Sequence, residues 1–493
     1  MTDTARDRLL RAAPLLIGLA VTVLLLAVSG RYGFHRDEFY YLVSGRHPAW
    51  GYVDNPPLTP WLARAQEALF GVSPTALRVV PALATGLSVV VTGRMARELG
   101  GDRVAAAVAA ACLAGAAFPL ATGHMLSTST LDLLAWTLLS WLLVRALRDG
   151  GPAWLAVGAV AGVGLLDKSL VATLLGAAAL GVLAVGPRRV FRDPWLGAAA
   201  LLALAVWAPY LVWQATHGWP QLAFARQVAT VGNGGSEPRW TFPLFQLIEV
   251  SPFLVPVWVA GLWRLARDPA VRSARAFAIT YAVLFVALLV AGGKHYYLAG
   301  AYPVLLAAGA APVVAWVRRA RWRPRVVTAV LAVNVVVVAW LVLPLIPATA
   351  LAGSPQAAVS PIAPETVGWP ELVGTVAAAT RLVPPDQQRS TVVLGRNYGE
   401  AGAVAVLGPG LPPAYSGQNS YADWGPPPES ATTVIVLGYD EATLRRWFTD
   451  VRPVARIDNA AGVPNDERGA PVWIATGRRD TWAALWPQVR RLA

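Results

Sequence analysis

The sequence predicts an α-helical polytopic membrane protein with about eleven transmembrane helices and an extracytoplasmic α/β domain at its C-terminus. Of the 493 residues, 56% are hydrophobic and only 14% are charged, whereas about 25% of residues are charged in an ordinary soluble domain. Apolar segments of about 20 residues, long enough to cross a bilayer, recur along the first 346 residues. After residue 346 the apolar segments stop, and short β-rich runs alternate with helical patterns.

The apolar segments define the transmembrane part, residues 1–346. The N-terminal segment has basic residues before its apolar run, but the run is long for a signal peptide and lacks a small-residue cleavage site, so we expect a retained first span. The predicted spans are 11–30, 77–95, 104–122, 127–145, 152–167, 169–186, 195–215, 244–264, 276–292, 298–317 and 326–346.

The net charge of +13 reports topology and does not indicate nucleic-acid binding. Arginines collect in alternate short loops, which predicts that those loops and the N-terminus are cytoplasmic in a plasma-membrane protein. With an odd number of spans, the opposite loops and residues 347–493 face outward. The predicted cytoplasmic groups are Arg6, Arg8 and Arg11; Arg94, Arg97 and Arg103; Arg145 and Arg148; Arg188, Arg189 and Arg192; Arg264, Arg267, Arg272 and Arg275; and Arg318 to Arg325.

Residues 347–493 have the pattern of a small α/β domain. Predicted strands lie at 390–394, 432–437 and 472–475, and predicted helices lie at 400–406, 441–448 and 482–490. The topology of the spans places this domain outside the cytoplasm.

The first outward loop contains the chain's most distinctive stretch, HRDEFYYLVSGRHPAWGYVDNPPLTPWLAR, from His35 to Arg64. Asp37 and Glu38 follow the first span closely, so we expect them at the outer membrane interface. A purely structural alternative is an interfacial acidic pair neutralised by Arg36 or Arg46. The many aromatic residues of the loop favour packing on the headgroup region, which indicates a fixed platform.

The chain has only two lysines, Lys168 and Lys294, and both are predicted at outward ends of spans. Either could simply extend its ammonium group to the interface. A lysine is also a compact point charge suited to phosphate, and Lys294 is followed by His295, Tyr296 and Tyr297. A cationic and aromatic cluster at this level suits a phosphate-bearing lipid.

Polar residues near the third and fourth spans are weaker candidates. The Ser and Thr residues between His124 and Asp132 are best explained by hydrogen bonds back to their own helix. Asp132 is an ionisable group inside the membrane and therefore a functional candidate, with Lys168 or His124 as its expected partner. Asp167, next to Lys168, is an equal candidate to pair with that lysine.

The first outward loop resembles that of bacterial membrane glycosyltransferases of the GT-C class, families 39 and 83, related to protein O-mannosyltransferases and aminoarabinose transferases. The resemblance rests on Arg36-Asp37-Glu38 and on the segment Tyr52 to Trp61, YVDNPPLTPW. It extends through Lys168 and through Lys294 to Tyr297, and into the C-terminal part at Ser416 to Tyr421 and Trp424 to Pro426.

The resemblance implies transfer of a sugar from a polyprenyl-phosphate-linked donor to a cell-envelope acceptor on the outer face of the bilayer. It implies that Asp37 is the catalytic carboxylate and Glu38 its neighbour in the acidic pair, and we expect both to be catalytic residues. The residue types agree with that chemistry, because a base near the acceptor and cations near the departing phosphate are both needed. We expect Lys168, Lys294 and Arg36 to bind the donor phosphate.

One position departs from the aminoarabinose transferases, which have an acidic residue and a lysine before the Pro-Pro pair. Here those positions are Asp54 and Asn55, so the acid is kept and the lysine is lost. A divalent metal ion is also compatible with carboxylates near His124 or His295, although no spacing is diagnostic. The rival interpretations are a lipid-linked sugar flippase, which would place charges near mid-membrane, and a non-catalytic scaffold.

Overall fold

The computed structural model describes residues 3–231, 238–360 and 362–492, and within these ranges the part before residue 347 consists of helices and connecting loops without strands. Its α-helices are α1 (Asp3–Val28), α2 (Arg36–Arg46), α3 (Leu58–Phe70), α4 (Pro74–Leu77), α5 (Val79–Glu98), α6 (Arg103–Ala114), α7 (Ala117–Gly123), α8 (Thr128–Asp149), α9 (Ala153–Leu165), α10 (Val171–Val185), α11 (Pro194–Thr216), α12 (Pro220–Val231), α13 (Thr241–Val250), α14 (Val255–Arg267), α15 (Ala276–Ala291), α16 (Tyr302–Val317) and α17 (Arg323–Val342).

Every predicted span coincides with an apolar helix or a broken helix pair, but not every one has the length of a span. Among the described residues, six helices are long and apolar enough to cross a membrane, and the number rises to eight if the bent pairs α6–α7 and α13–α14 each count as one. Helices α9, α10 and α15 have 13, 15 and 16 residues. At about 1.5 Å per residue they fall short of a hydrocarbon core of about 30 Å. The chain is a multi-pass membrane protein, and its described residues before position 347 include six to eight candidate spans of full length and these three shorter apolar helices.

Small residues let the apolar helices approach one another closely. A Cβ atom on Gly261 of α14 would lie 1.9 Å from the Leu305 carbonyl oxygen of α16, and one on Gly309 would lie equally close to the Val257 carbonyl oxygen. This reciprocal contact is a small-residue helix crossing, which replaces the hydrophobic driving force that is missing within lipid. It fixes α16, whose N-terminal end leads back to Lys294 and the tyrosines beside it.

The C-terminal α/β unit, residues 369–492, contains a five-stranded sheet in the order β2-β1-β3-β5-β4. Strand β1 is parallel to β2 and β3, while β5 is antiparallel to β3 and β4. After the short helix α18 (Pro355–Val359), the elements are α19 (Trp369–Arg381), β1 (Thr391–Gly395), α20 (Tyr398–Leu407), β2 (Ala414–Ser416), α21 (Ser420–Asp423), β3 (Thr433–Leu437), α22 (Glu441–Trp447), β4 (Phe448–Arg456), β5 (Pro471–Arg478) and α23 (Trp482–Val489). The three predicted strands and three predicted helices are present; β2, β4, α19 and α21 are additional.

Helix α2 joins the membrane part to the C-terminal α/β unit. Its side chains Phe39, Tyr40, Leu42 and Val43 are buried in one hydrophobic core with residues of α19, α20 and the sheet. Helices α2 and α20 approach closely because α20 carries glycines at the contact. A Cβ atom on Gly402 would lie 2.7 Å from the Phe39 Cβ. The loop predicted as a platform therefore holds a helix clamped between two parts of the molecule.

Candidate active site

A large cavity lies between the apolar helices and the C-terminal α/β unit. Its volume is about 1440 Å³, and both parts of the chain contribute to its wall. The predicted site residues on this wall are Arg36, Asp37, Asp54, Asn55, Lys168, Lys294 and Tyr296. Residues that are far apart in the sequence are thus brought to one space.

The N-terminal end of α2 determines how the two adjacent carboxylates point. His35 is the N-cap residue: its Nδ1 accepts a hydrogen bond from the Asp37 backbone N–H at 3.2 Å, and the Glu38 side chain accepts one from the His35 backbone N–H at 2.8 Å. Successive residues of an α-helix point about 100° apart. As a result Asp37 faces the cavity with 32% of its side chain exposed, whereas the Glu38 side chain is fully buried.

Glu38 forms a buried ion pair with Arg78, which precedes α5. Its Oε1 and Oε2 accept from the Arg78 Nε at 2.9 Å and from the Arg78 Nη2 at 2.7 Å. The Leu126 backbone N–H also donates to Oε1, at 2.9 Å. Arg78 itself donates to the carbonyl oxygens of Ser29 and Gly33. Both Glu38 oxygens therefore accept hydrogen bonds inside the protein, and Glu38 does not line the cavity that Asp37 faces, although the two were expected to act together.

Asp37 lies among cations and hydrogen-bond donors. The Tyr398 hydroxyl, from α20, donates to Asp37 Oδ1 at 2.7 Å, and His35 Nδ1 lies 3.8 Å from Oδ2. Burial by itself would raise the pKa of Asp37, but His35, Arg36, the Tyr398 hydroxyl and Lys294 outweigh it and hold the pKa below its usual value. Asp37 is therefore a carboxylate at neutral pH.

Arg36 is committed to acidic residues beside Asp37. Its Nε lies 3.1 Å from a carboxylate oxygen of Glu365, and its Nη1 lies 3.1 Å from one of Asp466. Glu365 also binds His35, whose Nε2 lies 2.7 Å away. Arg36 thus lines the cavity and braces the N-terminus of α2 against the segment leading into the C-terminal α/β unit.

Asp54 and Asn55 lie in the turn between α2 and α3 and also line the cavity. The Tyr40 hydroxyl donates to Asp54 Oδ1 at 2.6 Å, and the Asn419 side-chain amide donates to Oδ2 at 2.9 Å. Burial raises the pKa of Asp54 to about 6, although these two donors lower it in part. Asn55 is 4% exposed, and its amide donates to the Pro56 carbonyl oxygen at 2.8 Å. Asn55, which stands where the aminoarabinose transferases have a lysine, therefore supports the turn with its side-chain amide.

The two lysines and Tyr296 form a cationic and aromatic group on the membrane side of the cavity. Lys168 Nζ lies 3.1 Å from Ser129 Oγ and sits over the rings of Tyr296 and Tyr297, at 5.6 and 5.2 Å from their centroids. Lys294 Nζ sits 5.9 Å from the Tyr296 centroid. Such contacts hold an ammonium group while leaving its donors available. This arrangement can bind an anion that enters the cavity.

Asp132 pairs with Lys168, one of the two partners considered from the sequence. Its Oδ2 lies 3.8 Å from Lys168 Nζ. Asp167 instead accepts a hydrogen bond from Thr59 at 2.6 Å. Asp132 is not on the cavity wall, so it holds Lys168 from behind.

The two candidate histidines lie away from the cavity wall. His124 is buried, and its Nδ1 lies 3.1 Å from the Leu120 carbonyl oxygen within its own helix turn. His295 pairs with Glu249 and stacks on Phe245, with ring centroids 4.4 Å apart. Over residues 3–231, 238–360 and 362–492, no three His, Cys, Asp or Glu side chains are grouped so that they could hold a metal ion.

Several cavity residues were not predicted as site residues, although Asn419 lies in the segment Ser416 to Tyr421 that carries part of the resemblance. Tyr398 and Asn419 contact Asp37 and Asp54 from the C-terminal α/β unit. Gln221 of α12 donates to the Asp54 carbonyl oxygen at 3.4 Å. The glycines that follow Tyr398 are a partial signal, because small residues at helical spacing indicate a close helix contact. They do not reveal which helix makes it.

Comparisons with known proteins agree with this architecture. Residues 54–213 match the family described as dolichyl-phosphate-mannose-protein mannosyltransferase. No curated protein sequence matches the chain at a significant level.

Solved structures match over nearly the whole chain. The structure of ArnT from Cupriavidus metallidurans bound to undecaprenyl phosphate has a TM-score of 0.60 and 15% identity, covering 96% of this chain and 98% of that one. Its apo form gives 0.58 and 14%, covering 93% and 97%. The oligosaccharyltransferase AglB from Archaeoglobus fulgidus, with an inhibitory peptide and a dolichol-phosphate, gives 0.51 and 13%, covering 85% and 69%. These likenesses confirm the predicted GT-C fold.

Proposed function

We propose that the protein is a polyprenyl-phosphate-sugar-dependent glycosyltransferase that acts on a cell-envelope acceptor at the outer face of the membrane. The observation that carries the proposal is that Asp37, Lys168 and Lys294 line one cavity, with the carboxylate on α2 and the ammonium groups on the segments that follow α9 and α15. The similarity to ArnT bound to undecaprenyl phosphate and to AglB with a dolichol-phosphate supports a lipid-phosphate donor. The proposal covers hexosyl and pentosyl donors alike.

The carrier phosphate would bind at Lys168 and Lys294. Two ammonium groups held over tyrosine rings can stabilise the negative charge that grows on the phosphate as the sugar departs. The neighbouring wall of the cavity is apolar and includes Trp207, Leu211, Leu222 and Phe224. It offers a hydrophobic surface for the polyprenyl chain, which would enter from the bilayer.

Asp37 would act as the general base. It would take the proton from an acceptor hydroxyl or amine as that group forms a bond to the anomeric carbon. The bond between the anomeric carbon and the carrier phosphate oxygen breaks, and the electron pair leaves on the phosphate. Because the pKa of Asp37 is held below its usual value, the base is present in its ionised form at neutral pH.

The other predicted site residues would have supporting roles. Arg36 and Glu38 would position α2, since Arg36 is paired with Glu365 and Asp466 while Glu38 is paired with Arg78. Asp54 and Asn55 would shape the turn beside Asp37. Tyr296 would hold both lysines, while Asp132 would orient Lys168. His124 and His295 would support helix packing.

The topology follows from the same proposal. The arginine-rich loops lie in the cytoplasm, so the cavity and the C-terminal α/β unit lie outside it. A flippase is the competing function, because GT-C enzymes and lipid-sugar transporters would bind the same donor. The location of Asp37 beside an ordered set of cations at one membrane face favours chemistry over transport.

A transfer assay in detergent tests the proposal, because transport across a bilayer has no meaning there. The purified protein is given a polyprenyl-phosphate sugar and cell-envelope extract, and transfer of the labelled sugar is measured. Asp37→Asn should reduce transfer about 100- to 10,000-fold, the usual contribution of a general base, while donor binding is kept. Asp423→Asn is the control, because Asp423 is exposed and does not line the cavity. Transfer by Asp37→Asn within a few-fold of the wild type would remove Asp37 from the catalytic role.

A further inference from the structure

We infer that the C-terminal α/β unit completes the active site, with Tyr398 as the residue that positions the Asp37 carboxylate. The inference rests on the proposed function, since it assigns a role in the reaction proposed for Asp37. Its starting point is one contact between the two parts of the molecule: the Tyr398 hydroxyl donates to Asp37 Oδ1 at 2.7 Å.

Tyr398 is itself held in place from several directions. It is the first residue of α20, which begins with a capping box between Asn397 and Glu400. The Tyr398 backbone N–H donates to the Gln418 side-chain oxygen at 3.0 Å. Its ring lies against that of Tyr40, with centroids 4.8 Å apart. A hydroxyl fixed at both the backbone and the ring can hold a carboxylate in one orientation.

The second cavity carboxylate is held in a matching way. Tyr40 donates to one oxygen of Asp54, and Asn419 of the C-terminal α/β unit donates to the other. The Ser420 hydroxyl accepts a hydrogen bond from the Val53 backbone N–H at 2.9 Å. Asp37 and Asp54 thus each have a donor from the C-terminal α/β unit.

Close packing of α20 on α2 makes these contacts possible. A Cβ atom on Gly399 would lie 2.8 Å from the Arg36 Cβ, and one on Gly402 would lie 2.7 Å from the Phe39 Cβ. Either added methyl group would push the helices apart at the point where Tyr398 reaches Asp37. The docking of the C-terminal α/β unit on α2 therefore also sets the orientation of the Asp37 carboxylate.

The same cluster supplies a matched control. The Tyr421 ring packs on Tyr40 as well, at 6.3 Å between centroids, and Tyr421 is buried. Its hydroxyl has no hydrogen-bond partner in the described part of the chain. Tyr421→Phe removes a hydroxyl from this aromatic cluster without touching a carboxylate, whereas Tyr398→Phe removes the one that contacts Asp37.

The test compares the wild type, Asp37→Asn, Tyr398→Phe and Tyr421→Phe in the detergent transfer assay. Tyr398→Phe should lower kcat about 10- to 100-fold, as expected when a charged group loses one hydrogen bond, with the KM for donor unchanged. Tyr421→Phe should stay within about two-fold of the wild type. In the Asp37→Asn background, Tyr398→Phe should cause little further loss, because the two residues act as a unit.

The pH dependence separates positioning from mere structural support. Removing a donor from the Asp37 carboxylate raises its pKa, so the acid limb of the kcat/KM profile should move to higher pH in Tyr398→Phe. The titratable and charged groups that act on Asp37 or are acted on by it come from several elements: His35, Arg36, Tyr41, Asp54, Lys294, Tyr296 and Tyr398. All of them except Tyr398 remain in the variant. A structural defect alone would lower the plateau without moving the limb.

A glycine pair tests docking without altering Tyr398. Gly402→Ala should lower kcat, because the new methyl group meets Phe39. Gly374→Ala in α19 should have no effect, because a Cβ atom there has open space around it.

The outcomes distinguish the two proposals. A wild-type protein that transfers no sugar overturns the proposed function. If the wild type is active and Asp37→Asn is not, then a Tyr398→Phe variant with wild-type kcat and an unmoved acid limb overturns the inference, as does Gly402→Ala with unchanged kcat.

Discussion

Replacing Glu38 should destabilise the protein, whereas replacing its neighbour Asp37 should only stop the reaction. In Glu38→Gln the amide NH₂ must occupy one of the two oxygen positions. Oε1 accepts from Arg78 Nε and Leu126 N–H, and Oε2 accepts from Arg78 Nη2 and His35 N–H. In either orientation the glutamine NH₂ group faces two of these N–H donors and cannot accept a hydrogen bond from them.

The size of the loss follows from burial. The Arg78 and Glu38 side chains are 1% and 0% exposed, so Glu38→Gln leaves an uncompensated charge inside the protein. Breaking a buried ion pair in this way costs about 3–5 kcal/mol. With an unfolding entropy of about 2.1 cal/mol/K per residue, that corresponds to about 3–5 °C in Tm if the chain unfolds as one unit.

The assay is thermal unfolding in detergent at a fixed scan rate, because irreversible unfolding makes the apparent Tm depend on rate. Glu441→Gln is the control. It breaks an exposed pair with Arg445, whose side chains are 48% and 57% exposed, and should cost less than about 1 kcal/mol. The double variant Glu38→Gln/Arg78→Met should lose less than the sum of its single variants, since it removes both charges.

The pH dependence has a defined sign. Burial raises the pKa of Glu38, but Arg78 and the backbone N–H groups of His35 and Leu126 outweigh it and lower the pKa below its usual value. Its stabilisation is therefore full above the unfolded pKa of about 4.3 and is lost as the pH falls through the lowered folded value. The Tm difference between the wild type and Glu38→Gln should narrow in acid. A Glu38→Gln variant with wild-type Tm and no transfer would refute this reasoning and return Glu38 to the chemistry.

Three further predictions concern the lysines, Asp54 and the topology. Lys168→Gln and Lys294→Gln should each weaken binding of a polyprenyl-phosphate sugar about ten-fold or more, with partial rescue by arginine; wild-type affinity in the double variant would exclude the phosphate site. Burial raises the pKa of Asp54 to about 6, so its ionisation lowers the stability of the folded protein as the pH rises from about 4 through 6. Asp54→Asn should therefore flatten the dependence of Tm on pH in this range. An unaltered dependence would contradict the raised pKa of Asp54. In the Cys112→Ser background, a cysteine at Glu441 should react with an impermeant maleimide on intact cells and one at Arg321 should not, and the reverse labelling would invert the orientation.

The sequence was most informative where one periodicity dominated. The apolar runs gave the positions of the long helices, and β3, with five fully buried residues, was found as a hydrophobic run. Strand β4 was missed because it follows α22 without a break, contains Pro453 and has a bulge near it. Helix α2 was missed because buried residues surround most of it, so no amphipathic pattern is visible.

The candidate site was predictable in part. Charge distribution and span counting placed Asp37, Lys168 and Lys294 on one side of the membrane, and all three line the cavity. The different environments of Asp37 and Glu38 could not be predicted without α2, because only helical geometry sends adjacent side chains in different directions. The role of Tyr398 could not be predicted for another reason. Its partner Asp37 is 361 positions away in the sequence, and no local sequence pattern indicates that contact.

Helix α2 contacts both the membrane part and the C-terminal α/β unit, and these contacts restrict the motion of Asp37. Its Glu38 side is fixed to Arg78 at the start of α5, while its Phe39 packs in the core of the C-terminal α/β unit. Asp37 is adjacent to these two attachments on α2, and its own Oδ1 accepts a hydrogen bond from Tyr398, so it has little freedom to reorient. A base held this way needs no rearrangement when charge develops in the transition state, which is the condition under which electrostatic stabilisation is most effective. Substitutions in the core of the C-terminal α/β unit should therefore alter kcat through α2, even where they are remote from the cavity.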